Sequence, residues 1–277
     1  MVAFAANSLL CRLALGASLA DPVSFTTIRL VSGAVALAAI SRLAVGSEGP
    51  QSTKGSWGSG VVLFAYAVAF SLAYVSLSAG MGALILFGAV QVTMLGAALL
   101  SGEHLRPAQW AGSAAAIGGL VYLVLPGISA PDPVGALLMC VSGIAWGVYS
   151  IRGKGVSAPV AMNAGNFLRS APFTTAASAV ALSRVHLEPA GILIALASGI
   201  VTSGMGYVLW HRVLRSLTNA QASIVQLSVP VLAAFGGVAF LAEQVSTRLV
   251  AASALILGGV ALAVLKGQSQ PSRTRTT

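Results

Sequence analysis

The chain has 277 residues, 57% of them hydrophobic and 8% charged, with a mean hydropathy of +0.90. A soluble domain carries about 25% charged residues, so this chain lacks the polar side chains to cover a water-facing surface. That excludes a soluble enzyme, a secreted disulfide scaffold and a disordered protein, and it leaves an all-α polytopic membrane protein embedded in a lipid bilayer.

A membrane helix needs about 20 apolar residues, and charged or turn-forming residues divide the chain into ten such stretches. The predicted spans are 1–17, 23–44, 57–78, 81–101, 107–126, 134–152, 160–182, 189–211, 217–241 and 248–265. Ser78-Ala79-Gly80-Met81-Gly82 separates the third from the fourth, and Pro126-Gly127 with Pro131-Asp132-Pro133 ends the fifth. Arg12, Arg29 and Arg169 fall within spans.

Ten spans put both termini on one side. Placing that side in the cytoplasm gathers Arg42, Lys54, Arg106, Arg152, Lys154, Arg169, Arg212, Arg215, Lys266, Arg273 and Arg275 at the inner face. Arg12, Arg29, Arg184 and Arg248 remain near the outer one, as the positive-inside rule requires. Trp57 and Trp110 then start the third and fifth spans at the inner interface. The net charge of +9 is therefore loop charge, and no basic patch interleaved with aromatics points to nucleic acid. Cys11 and Cys140 lie in apolar runs and read as helix-packing residues.

Sliding the sequence by 140 positions superposes Arg12 on Arg152, Arg29 on Arg169, Gly96 on Gly236, Glu103 on Glu243 and Gly118-Gly119 on Gly258-Gly259. With six acidic residues in the whole chain, the Glu match carries the most weight. The expected units are a first five-helix repeat over 1–133, a second over 134–267 and a polar cytoplasmic tail over 268–277. Five is odd, so the second copy enters the membrane inverted, the arrangement from which many secondary transporters build two states around a midplane site.

A polar stripe on a membrane helix must face protein or a water-filled cavity. The candidates for substrate contact are Asn7, Tyr74, Gln91, Trp146, Tyr149, Asn163, Asn166, Tyr207, Trp210 and Gln226, together with Asn219, Ser203 and Ser223 on the same helix faces. Arg29 and Arg169 are candidates to attract a substrate carboxylate or to gate, with snorkelling to headgroups as the competing role. Pro230 removes a helical N–H and frees the Gln226 carbonyl, a structural kink beside the site. His211 reads as interfacial, and all six carboxylates lie at span ends or in loops, which argues against a proton relay within the membrane. No metal-ligand spacing, phosphate loop or intramembrane nucleophile motif occurs, so neither cofactor nor metal nor catalysis is expected.

Gly143-Ile-Ala-Trp-Gly-Val-Tyr149 and the series Ala222-Ser223, Gln226-Leu227, Pro230-Val231 and Leu241-Ala242-Glu243 resemble the drug/metabolite transporter superfamily, specifically its EamA-type ten-helix members. The first half keeps the terminal Glu103 but has Val90 where Pro230 would align, so the resemblance does not extend a kink to it. It implies a carrier in the bacterial inner membrane that exports amino acids or related small molecules, with the aromatic amino acid exporters of the YddG type as near relatives; a monomer is a separate expectation, which the sequence itself does not decide.

Overall fold

The computed structural model describes residues 1–43, 55–100, 107–125, 130–217, 222, 225, 226 and 228–265. Among them the chain forms α1 (Val2–Gly16), α2 (Pro22–Leu43), α3 (Trp57–Ala73), α4 (Ala79–Leu100), α5 (Pro107–Val124), α6 (Pro133–Gly153) and α7 (Pro159–Val180). A single 3₁₀ turn (Leu182–Arg184) leads to α8 (Pro189–Leu214), then α9 (Ser228–Leu241) and α10 (Thr247–Leu265). These match the ten predicted spans with ends shifted by a few residues, apart from the ninth, whose described helix starts at Ser228. Glu103, Asn219, Ser223 and the tail lie outside the described residues.

Local chemistry explains the starts. α2, α5, α6, α7 and α8 each begin on a proline, whose missing N–H costs nothing in the first turn. The Ser56 side chain accepts from the Ser59 N–H to cap α3, and Asp132 accepts from the Gly135 N–H at 2.6 Å to cap α6. Asp21 accepts from the Val23 and Ser24 N–H groups at 3.1 and 2.9 Å, and its other oxygen accepts from the His186 N–H. Here the α1–α2 turn meets the α7–α8 connection, joined by a bridge between Ala20 and Leu187.

Partial burial works against the Asp21 charge, but the hydrogen bonds from Ser24, His186 and Val23 outweigh it and hold the carboxyl below its usual range. Asp21→Ala is expected to lower stability by about 1 kcal/mol, measured as a lower melting temperature in detergent. The stabilisation from Asp21 is complete above the unfolded aspartate range near pH ~4 and fades as pH falls through the lower folded value. The melting difference between wild type and variant should therefore shrink in acid; a constant difference would refute it.

Helix packing repeats with a period of five helices. α2 packs on α7, α4 on α9 and α5 on α10, each against its counterpart in the other half. α3 packs on α6 and α7, just as α8 packs on α1 and α2, and the α4–α6 contact is matched by α9 against α1. Large apolar side chains such as Val35, Leu137, Phe235 and Phe240 face outward, a surface suited to lipid. Trp57 and Trp110 are also exposed, as interfacial indoles should be.

α8 departs from a plain helix. Its centre, Ser198–Met205, winds as a π-helix between two α-helical segments. At Gly199 a Cβ would run into the backbone carbonyl of Arg29, so glycine is what lets α8 approach α2 this closely. That contact sets the depth of Arg29 against α8.

Candidate functional site

A cavity opens between the halves, lined by Phe4, Asn7 and Ser8 of α1, Tyr66 and Phe70 of α3, Leu86 and Phe87 of α4, and Trp146 of α6. Its walls are mostly aromatic. The Trp146 ring centroid lies 4.6 Å from Tyr207, 5.2 Å from Phe4 and 5.2 Å from Tyr66. Tyr149 stacks on the far side of Trp146, and Trp210 meets Phe4 edge-on.

Arg29 sits against this cluster with no exposed surface. Its Nε donates to Ser203 Oγ at 2.8 Å, and its Nη2 donates to the hydroxyls of Tyr207 at 2.8 Å and Tyr66 at 3.2 Å. The guanidinium also rests over the Phe70 and Tyr66 rings, at 5.0 and 5.4 Å from their centroids. Nη1 is buried and, among the described residues, has no hydrogen-bond partner. Among the described residues, ion pairs form between Arg12 and Glu243 and between His186 and Glu188, and neither includes Arg29. The competing role of reaching for headgroups does not describe this side chain. Arg29 is therefore a buried cation held by neutral hydroxyls and rings, with no carboxylate paired to it among the described residues.

The other expected residues divide into two groups. Asn7 accepts from Ser198 Oγ at 2.7 Å and Thr202 Oγ1 at 2.9 Å, fixing α1 to the π-helical segment. Trp146 Nε1 donates to Gln226 Oε1 at 3.1 Å, and Trp210 Nε1 donates to Ser150 Oγ at 3.2 Å. Below them, Tyr149 donates to Asn163 Oδ1, while Asn166 donates to the Tyr149 hydroxyl and accepts from the Ser56 N–H. Of these residues Asn7 and Trp146 line the cavity; Tyr149, Tyr207, Trp210 and Gln226 touch Trp146 or Phe4 of its wall, and Asn163 and Asn166 bond to Tyr149.

Tyr74, Gln91 and Arg169 do not line the cavity. Tyr74 is buried where α3 turns into α4 and donates to the Ala79 carbonyl. Gln91 is half-buried on α4. Arg169 donates to the Gly165 carbonyl and lies over the exposed Trp57 ring, at the edge of the bundle. Pro230 is buried in the first turn of α9, four residues after Gln226.

Sequence reasoning missed Phe4, Tyr66 and Phe70. Tyr66, Phe70 and Tyr74 recur every four residues, a ladder of rings along one face of α3, and that spacing was the available signal. The interfacial reading of His211 is corrected: the ring is fully buried, because Gly153 of α6 leaves it room that a Cβ would fill.

At one end of the chamber a polar tie joins both halves. Arg12 Nε pairs with Glu243 at 3.3 Å, and Arg12 Nη1 donates to the Tyr74 and Val75 carbonyls at 3.0 Å each. Both Glu243 oxygens accept from the Ala79 N–H. A left-handed residue, Ala242, turns Glu243 back toward α9, where its N–H donates to the Gly237 carbonyl.

Ten apolar helices packed as two matched sets around a buried polar and aromatic chamber define a polytopic membrane transporter. Comparison with known proteins agrees. The profile of the EamA-like transporter family matches residues 133–265. An uncharacterized protein of Pseudomonas aeruginosa is 50% identical over 262 residues, covering 95% of this chain and 91% of that protein. An uncharacterized transporter of Archaeoglobus fulgidus is 26% identical over 214 residues, covering 73% of each. A protein of known crystal structure, 25% identical, aligns over 96% of both chains with a TM-score of 0.68. The chain belongs to the EamA-like transporter family, within the drug/metabolite transporter superfamily.

Proposed function

We propose that this transporter exports amino acids, aromatic ones foremost, across the bacterial inner membrane by alternating access, acting as a monomer. The observation that carries the reading is Arg29, a fully buried guanidinium with an unpartnered Nη1, set against a cavity walled by Phe4, Tyr66, Phe70 and Trp146. The guanidinium fork matches a carboxylate, and the rings match an aromatic or large apolar side chain. A cationic drug would instead meet a fixed positive charge with no described carboxylate near it.

With both termini in the cytoplasm, the Arg12–Glu243 tie closes the periplasmic side. It joins α1 and the α3–α4 turn, from the segment 1–133, to the end of α9, from the segment 134–267. Those two segments are the units that would rock past one another. The 140-residue offset assigns Arg152 and Glu103 to the equivalent positions on the cytoplasmic side. Arg152 donates to Ser59 at 3.0 Å and Ser56 at 3.3 Å, at the start of α3.

Counterflow in proteoliposomes with labelled L-phenylalanine tests the substrate. Internal unlabelled phenylalanine, tyrosine, tryptophan or leucine should accelerate uptake of the label. Phenethylamine, which keeps the ring and ammonium but lacks the carboxylate, should neither exchange nor compete. Equal competition by phenethylamine would refute the carboxylate reading, and absence of exchange by any amino acid would refute the substrate class.

A further inference from the structure

Two arginines hold matching places in the two halves. Arg29 of α2 and Arg169 of α7 are 140 residues apart, the repeat offset, and α2 packs on α7. Each backbone is met by a glycine from the other half. Gly199 of α8 stands against the Arg29 carbonyl, and a Cβ on Gly60 of α3 would lie 2.8 Å from Arg169 Cβ. The backbones are placed alike and the side chains are not. Arg29 is buried on the hydroxyls of Tyr66 and Tyr207, whereas half-buried Arg169 lies over the exposed Trp57 ring, 5.9 Å from its centroid.

The two tyrosines are themselves a matched pair, one from α3 and one from α8. They are 141 residues apart, and the π-helical segment just upstream of Tyr207 takes up the extra residue, because π winding holds more residues per turn. The Tyr207 hydroxyl donates to that of Tyr66 at 3.1 Å, so the halves meet at this pair. Arg169 has it within range. Its Cβ stands level with Gly60; Trp57 is three residues from there toward one end of α3, and Tyr66 is six toward the other, about 9 Å along the helix. α7 already touches the pair through Phe167, whose ring centroid is 5.8 Å from that of Tyr207.

We propose that the two arginines take turns on the Tyr66–Tyr207 pair, Arg169 displacing Arg29 as the carrier turns to the periplasm. The inference rests on the inverted-repeat and amino-acid readings above. In an inverted repeat the opposite-facing state arises when the halves exchange conformations, so Arg169 adopts the buried pose that Arg29 holds here. Two guanidinium groups on one pair of hydroxyls repel, so the pair holds one at a time. A carboxylate loaded from the cytoplasm settles on Arg29, and Arg169 then takes the hydroxyls. Arg29 leaves with its carboxylate along the Phe70 ring, over which it already rests at 5.0 Å, toward the end of α3 that faces the periplasm in the proposed orientation. Ligand attraction and reaching for headgroups thereby become two poses of one cycle, held by the two arginines in alternation.

A covalent probe reads the alternate pose with no substrate present. Tyr66 is replaced by fluorosulfate-tyrosine, which reacts with a lysine amine that reaches it, and the adduct is found by mass spectrometry of the digested chain. Arg29→Lys should form the adduct, as the geometry already requires. Arg169→Lys should form it too, whereas Arg184→Lys, at an exposed position, should not. No adduct from Arg169→Lys would overturn the exchange, whatever the substrate.

Transport separates this role from a merely structural one. Arg169→Gln should bind L-phenylalanine within about twofold of wild type, while its counterflow slows by about tenfold or more, since a charge-assisted contact is missing from the opposite state alone. Arg169→Lys should recover part of the rate. Unchanged counterflow in Arg169→Gln, or binding and counterflow lost together, would overturn the proposal. A wild type that exchanges no amino acid defeats the substrate reading by itself, and the adduct then decides the arginine exchange.

Discussion

Arg29→Gln is expected to abolish saturable transport of L-phenylalanine at concentrations that serve wild type. Truncating one member of a buried, charge-assisted contact costs about 2–5 kcal/mol, so apparent affinity should fall at least roughly thirtyfold. Glutamine can still bond to Ser203, Tyr66 and Tyr207, the three hydroxyls that hold the guanidinium. No described carboxylate is left behind unpaired, so the melting temperature should hold or rise while transport is lost. Arg29→Lys keeps the charge without the planar fork and should fall between the two. Concentration-dependent uptake with parallel melting curves reads both effects. A glutamine variant with unchanged affinity for phenylalanine would remove Arg29 from the site.

Glu243→Gln should open the end of the chamber that the Arg12 tie closes. The pair is only partly buried, 25% exposed at Arg12 and 13% at Glu243, so its loss is worth about 1–2 kcal/mol, less than for a fully buried pair. That shifts a two-state equilibrium by roughly five- to thirtyfold. In a background with Cys11 and Cys140 replaced by alanine, Ser8→Cys places a thiol in the cavity wall. An impermeant maleimide added from the periplasmic side should label it several times faster when Glu243 is glutamine. Arg152→Gln should favour labelling from the cytoplasmic side. Equal labelling rates in the presence and absence of Glu243 would show that the tie does not control access.

The ten helices were legible because the chain marks their ends chemically. Prolines 22, 107, 133, 159 and 189 start helices, and Asp132 and Ser56 cap them. Buried polar side chains were legible wherever an amide or indole stood among apolar residues, as at Asn7, Trp146, Asn163 and Gln226, of which Asn7 and Trp146 line the cavity. Depth was harder to read. Arg29 is as consistent with a headgroup as with a site until Gly199 brings α8 against its backbone, and nothing local to residue 29 encodes that contact. His211 precedes the exposed Arg212 and lies near the end of its helix, so it reads as interfacial until Gly153 gives it space from another helix. Both are tertiary facts, decided by glycines far away in the chain.

The π-helical centre of α8 sits upstream of every ring that this helix gives to the chamber. Removing one residue from Ser198–Met205 would let the backbone relax to ordinary winding and rotate the C-terminal part of the helix by about 100°. Tyr207, Trp210 and His211 would all turn together, away from Arg29, Ser150 and Asn163. Its length matters as much as its side chains: Ser198, Gly199, Thr202 and Ser203 make the contacts to α1 and α2, and a frame of eight residues aims three rings, so any change in that number misaims all of them at once.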